Sequence, residues 1–225
     1  MDVITSLDQA RAEIDVLEHP FYRRWRNGEL RPQELSSYAH QYGHAVIALA
    51  QASGQAARHA DADHADALRA HAVEEASHVE LWDRFARAAA LRPLRVRAVA
   101  AAETRECARS WTAGEDQLER LAVLYAIEAS QPAVSRTKLE GLVQHYGYAV
   151  EGPAVEYFRV HAVRDHDHAR LARALIGQLI ERATDGGLAT SRMVRRARRA
   201  LRGNWRLLDG VEATDRRASA LVGDG

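Results

Sequence analysis

The chain carries one cysteine in 225 residues, Cys107, with five prolines and three phenylalanines, and its 31 Lys and Arg balance 31 Asp and Glu to a formal net charge of zero. A single thiol excludes an intramolecular disulfide framework and any zinc ribbon. Without a charge imbalance there is no long-range field of the kind that nucleic acid, a membrane surface or a polyanionic substrate would call for. No N-terminal signal sequence and no apolar run of bilayer length is present, so a cytoplasmic protein without a membrane span is expected. Clusters of Val, Ile and Thr are scarce while Ala and Arg are plentiful, which leaves little from which to build strands. Nothing Pro-, Gly- or Ser-rich is long enough to separate domains, and no repeat is visible. One all-α bundle over 1–225 is therefore expected, with a disordered or loosely held tail from about residue 212.

What is present is helical punctuation. Ser6 with Gln9 reads as a capping box for a first helix that places Leu7, Ala10, Ile14 and Leu17 on one side. His19-Pro20 bends the path, a short helix over 21–27 stops at Gly28, and Pro32 is placed to open a long helix to about Arg58. Further helices are predicted over about 63–90, 94–110 and 116–130, from Pro132 to near Gly147, from Pro153 to about Arg182, and over 191–208. The last holds the basic run Arg192 to Arg206. Met193, Val194, Ala197, Leu201 and Trp205 make it an amphipathic helix with a solvated arginine face rather than a nucleic-acid surface.

Function must then come from a local site. His161, Asp165 and His168 recur at i, i+4 and i+7 and so stand in one column of a helix face, a chelating surface of imidazole and carboxylate. Glu74, Glu75 and His78 form a second cluster, in which either carboxylate can share a metal with the imidazole, and Trp82 and Phe85 continue the same face and turn it inward. Glu128 lies on an otherwise apolar helix just before Pro132, where a buried carboxylate needs a cation; a salt bridge to Lys138 or Arg136 would serve as well as a metal. Together the clusters offer three imidazoles and three carboxylates from three helices. That donor set suits two first-row metals, iron or manganese before zinc, because hard oxygen ligands are several and thiolates absent.

The blocks Leu124-Tyr125-Ala-Ile-Glu128-Ala-Ser-Gln131-Pro132, Ser135-Arg136-Thr-Lys138-Leu-Glu-Gly141-Leu142, His145-Tyr146-Gly147, Tyr157-Phe158-Arg-Val-His161 and Asp165-His-Asp-His168 resemble the signature of the haem-oxygenase-like diiron proteins, in particular their para-aminobenzoate synthase branch. His19-Pro20-Phe21-Tyr22, Trp25, Gly28-Glu29-Leu30, Glu75, His78 and Leu81-Trp82 match the N-terminal half, so the resemblance runs from about Leu17 to Leu179. It implies a single seven-helix haem-oxygenase-like bundle, a homodimer, two iron ions (or manganese, or one of each) with dioxygen as co-substrate, and an external electron donor. The ligands it implies are Glu75 (or Glu74), His78, Glu128, His161, Asp165 and His168. In the para-aminobenzoate branch a tyrosine of the enzyme is consumed as the ring precursor and a lysine is the amino donor; Tyr22 and Lys138 fall on these positions.

One departure bears on substrate. The compact Glu75-Ala-Ser-His78 spacing is that of relatives that oxidise an external fatty acid or amino acid, whereas the para-aminobenzoate branch spaces these residues further apart. Tyr22 also has a plain reading as packing in its turn, Lys138 one as neutraliser of Glu128, and His40, His44 and His71 read either as outer supports of the metal or as ordinary core and surface histidines. A metal-free oxidase related to pyrroloquinoline-quinone synthase C, or a binding protein without activity, are the other readings of the same bundle.

Overall fold

The computed structural model describes residues 2–91 and 99–223. Among them are nine α-helices and no strand: α1 (Val3–Glu13), α2 (Pro20–Arg26), α3 (Pro32–Arg58), α4 (Ala65–Ala89), α5 (Ala102–Trp111), α6 (Gln117–Glu128), α7 (Gln131–His145), α8 (Glu156–Glu181) and α9 (Gly186–Gly223), with a 3-10 turn at Val16–Glu18. Each of the nine answers to a helix read from the sequence, and the count exceeds the seven that the resemblance implies. Part of the excess is N-terminal, where Pro20, with no N–H to give, fits the first turn of a helix and breaks the path into the short helices α1 and α2. His19 caps α2 by accepting from the Phe21 N–H at 3.0 Å.

Several boundaries differ from the sequence reading, among them the end of the first helix, which stops at Glu13 and leaves Ile14 as its cap and Leu17 in the 3-10 turn. The first helix begins at Val3, capped by the Asp2 side chain, and Ser6 sits inside it with its hydroxyl turned back on the Asp2 carbonyl, so the capping box is not formed. The helix expected from Leu94 begins at Ala102; residues 94–98 lie outside the described part. The last helix does not stop at Leu208 but continues to Gly223.

Helices α3 and α4 pack together, α8 lies against α6 and α7, and α9 closes the bundle over α5 and α6. Gly28 ends the α2 turn with φ +72°, where a Cβ would also strike the His145 ring at 2.8 Å. The interior divides into two apolar cores. One is rich in aromatics, with Tyr22, Trp25, Tyr38, Tyr42, Trp82, Phe85, Tyr157 and Phe158. The other is aliphatic, with Leu7, Leu68, Leu121, Leu175, Ile176 and Met193. Helix α4 contributes Leu68 to the second and Trp82 to the first, and α8 likewise contributes Leu175 and Tyr157. Burying each such side chain is worth about 1.5–3 kcal/mol, enough to fix the rotation of both helices. The turns between these anchors, 71–78 on α4 and 161–168 on α8, are thereby turned inward, and the polar residues they carry meet between the two cores.

Candidate metal centre

In that gap His71, Glu75, Glu128 and His168 each present one ligand atom, all within 4.8 Å of one another, and Glu75, His78 and His161 do the same. Glu75 belongs to both groups. All six are buried, and so is Asp165, whose Oδ1 is 3.5 Å from His168 Nδ1. His168 Nδ1 is also 3.3 Å from Glu75 Oε1, His78 Nδ1 is 3.2 Å from the same oxygen, and His161 Nε2 is 4.0 Å from Glu75 Oε2. The His161 ring is oriented from its other side, where Nδ1 donates to the Tyr157 carbonyl at 2.8 Å. This is the outer hydrogen bond that commonly fixes which nitrogen of a metal-binding imidazole is free.

The cluster has the donor set a first-row metal needs. His71 Nε2, both Glu128 oxygens, His161 Nε2, both Asp165 oxygens and His168 Nδ1 are buried without a hydrogen-bond partner. His71 Nε2 and Glu128 Oε1 approach to 2.9 Å yet lack hydrogen-bond alignment. Buried polar atoms left unsatisfied cost several kcal/mol together, on the order of 1–3 each, a cost that a cation held between them would relieve. Protonation directions agree. Burial pushes Asp165 up and His161 down, whereas Glu75, despite its burial, is held well below the carboxylate range by His168 and His78. Burial opposes a charge on His168, but Asp165 and Glu75 raise it to about 11; His71 rises the same way through Glu128. Protons therefore balance the carboxylates, and a metal taking this site would displace them.

The sequence-predicted residues divide as follows. Glu75, His78, Glu128, His161 and His168 are brought together in the two groups, Asp165 reaches them only through His168 at 3.5 Å, and Glu74 is in neither group. Its carboxylate is gripped by Arg164 at 2.7 and 2.9 Å, which lowers it to about 2, and it meets His168 Nε2 at 3.3 Å from outside. It is built to aim the His168 ring. Neither Lys138 nor Arg136 pairs with Glu128: Arg136 reaches the Ala162 carbonyl, and the Lys138 amine has no hydrogen-bond partner. His71 is the residue that sequence reasoning set among supports and core histidines. The signal was there, because His71, Glu75 and His78 repeat on α4 the i, i+4, i+7 column of His161, Asp165 and His168 on α8.

Tyr22 and Lys138 lie in the aromatic core beside the cluster, both fully buried. The Tyr22 hydroxyl shares a 2.8 Å hydrogen bond with that of Tyr38, and Lys138 Nζ stands 4.3 Å from the Tyr42 ring centre and 5.4 Å from that of Tyr22. Burial lowers the amine to about 7, against a small opposing pull from Asp165, and lifts the Tyr22 phenol well above its ordinary value.

An all-helical bundle with a carboxylate and imidazole cluster at its centre defines a class, and the chain belongs to it: residues 36–203 match the family described as iron-containing redox enzymes. Among curated proteins it is 29% identical over 203 residues to the 4-aminobenzoate synthase of Chlamydia muridarum, covering 86% of both chains. It is 28% identical over 228 residues to the 4-aminobenzoate synthase of Nitrosomonas europaea, covering 92% of this chain and 89% of that one. Among solved structures, a TenA homologue from Pseudomonas syringae superposes with a TM-score of 0.78 at 17% identity, over 94% of this chain and 91% of its own. A haem-oxygenase-like domain of unknown function from Shewanella denitrificans follows at 0.75 and 16%, over 96% and 94%. At those identities the structures show the fold alone. No helix among the described residues is long and apolar enough to cross a membrane.

Proposed function

We propose that the protein is a dioxygen-activating oxidase with two iron ions, or iron with manganese, held by His71, Glu75, Glu128 and His168 on one side and by Glu75, His78 and His161 on the other. Asp165 stands ready beside His168. The observation that carries this reading is the set of buried, unpartnered ligand atoms converging on Glu75. A pair of iron ions there would supply the electrons that reduce dioxygen. The chain's own part is to exclude water, to orient the imidazoles through Tyr157 and Glu74, and to hold the oxidisable group against the cluster. The names of the curated relatives favour a 4-aminobenzoate synthase, with the Tyr22 ring as precursor and Lys138 as amino donor. What supports this is that an amine lowered to about 7 is largely unprotonated just above neutrality and therefore nucleophilic, and that it faces the Tyr22 ring in a dry cage.

The test uses protein labelled at its tyrosine rings, loaded with iron and exposed to reductant and dioxygen. Labelled 4-aminobenzoate, in less than one equivalent per chain, is expected, with intact-mass loss at Tyr22; Tyr22→Phe should abolish release while still binding iron. Undiminished product from Tyr22→Phe would show that an external molecule supplies the ring. No product at all, with dioxygen consumed when a fatty acid or amino acid is added, would move the assignment to an oxidase of external substrates, the reading that the compact Glu75–His78 spacing favours.

A further inference from the structure

The cluster is closed on nearly every side. Its seven residues are all buried, and the His168 side chain, at 6% exposed, is the least covered of them. The His168 ring joins the inside to the outside. Nδ1 stands 3.3 Å from Glu75 Oε1 and 3.5 Å from Asp165 Oδ1, while Nε2 meets Glu74 Oε2 at 3.3 Å. Glu74 is 27% exposed, and among the described residues no other partly exposed carboxylate stands within 4.0 Å of a cluster imidazole. Over it lies the exposed Arg164 of α8, whose Nε and Nη2 donate to the two Glu74 oxygens at 2.7 and 2.9 Å. A second carboxylate waits on the same helix: Asp167, one turn on, is 3.6 Å from Arg164 Nη1 and is paired also with Arg170. Arg164 can thus leave Glu74 without losing an acidic neighbour.

We propose that Glu74 and Arg164 form the port by which divalent cations reach the buried cluster, with Glu74 receiving the ion and Arg164 holding the port shut. The inference rests on the metal-binding reading above. A hydrated cation is too large to slip between packed helices, so its waters must be exchanged for protein donors one at a time, and a carboxylate oxygen at the surface is the hard ligand to begin with. While Arg164 occupies both Glu74 oxygens, those oxygens are taken and a positive charge faces any incoming cation. When Arg164 swings to Asp167, Glu74 is freed to bind, and the His168 imidazole is the next donor inward, with Glu75 and Asp165 behind it. An exposed ion pair adds little to the stability of a fold, so the Arg164 contact can open without disturbing the bundle. Arg84 supplies the control. It joins the same two helices through Glu156 at 2.8 Å, is similarly exposed and pairs with no cluster residue.

The experiment mixes the full-length, metal-free chain with cobalt(II) in a stopped-flow spectrometer and follows the visible absorption of the bound ion. Loss is then timed after adding EDTA, a chelator too large to enter the bundle. Arg164→Met should speed uptake about tenfold, the change made by about 1.4 kcal/mol off the barrier. It should speed loss as well, so that affinity moves far less than either rate. Glu74→Gln keeps an acceptor for His168 but no charge to receive a cation, and it should slow uptake and loss by about tenfold. Arg84→Met should leave both rates alone. A purely structural role for the Glu74 and Arg164 pair would lower the unfolding temperature and move neither rate. Wild-type rates in Arg164→Met and Glu74→Gln, or an equal acceleration in Arg84→Met, would overturn the port while leaving the metal centre standing. A wild-type chain that binds neither cobalt(II) nor iron(II) would overturn the metal centre and the port together.

Discussion

At the scale of single residues, the two neighbouring glutamates have opposite fates that a single step of about 100° round the helix decides. Glu75 is buried and touches His78, His161 and His168, whereas Glu74 lies one position round the helix and spends its charge on Arg164 and the outer edge of His168. Glu75→Ala should therefore remove most of the iron from protein loaded in vitro. Glu74→Ala should weaken iron binding by about tenfold, the low end for losing an outer-shell partner. Iron measured by mass spectrometry on desalted protein decides the ranking, and His71→Ala should fall with Glu75→Ala, not with Glu74→Ala.

Lys138 is the costly residue of the core. Its amine is fully buried without a hydrogen-bond partner and is lowered from 10.5 to about 7, so between those values the unfolded chain binds a proton that the folded chain does not. Stability then rises with pH across that window, and the full penalty applies below pH 7. In iron-free protein, Lys138→Met should be more stable than wild type by about 1–4 kcal/mol, the range for replacing a buried charge with an apolar isostere. The margin should be widest below pH 7 and shrink toward pH 10.5. Urea denaturation of both proteins at several pH values measures it; a margin that does not change with pH would contradict the assignment.

At the scale of elements, α2 and α7 are held by a contact without slack. A Cβ at Gly141 would meet Trp25 Cδ1 at 2.5 Å and the Trp25 carbonyl at 3.2 Å, and the same indole donates to the Lys138 carbonyl one turn earlier on α7. Gly141→Ala must push α7 away from α2, at about 1–3 kcal/mol for overpacking. Thermal unfolding should register the loss. Because Lys138 rides on the same helix, product yield should drop further than iron content.

At the scale of the whole molecule, α9 is tied down electrostatically at its start and by packing along its length. Burial raises the pKa of Glu119, but the Glu115 N–H and the guanidinium groups of Arg192 and Arg196 outweigh it and hold the carboxylate below its ordinary range. A carboxylate lowered by folding adds stability that is fully present above its unfolded pKa and is lost as pH falls through the folded one. Glu119→Gln should cost about 1.5–3 kcal/mol at neutral pH, the worth of hydrogen bonds to a charged group. The difference from wild type should vanish in acid, as seen by following unfolding below pH 4.5, the ordinary value for the group.

The sequence by itself determined what depends on local spacing. Helix periodicity, Pro32 at a helix start, Gly28 at a stop and the His161, Asp165, His168 column are readable because 3.6 residues per turn fixes which side chains share a face. The apolar residues of the basic C-terminal helix, Met193, Ala197 and Leu201, are buried as the pattern indicated, and its arginines at 192 and 196 meet Glu119. Only the tertiary structure decided what depends on how faces meet. Whether His71 belongs to the cluster follows from the distance between α4 and α6, which brings it to Glu128, and no spacing along one helix encodes that. Which of Glu74 and Glu75 faces inward follows from the rotation of α4, fixed by Leu68 and Trp82 in cores on either side of the cluster. The solitude of Lys138 arises in the same way, because the rings of Tyr22, Tyr42 and Trp82 come from three different helices and close around the amine only when the bundle is assembled.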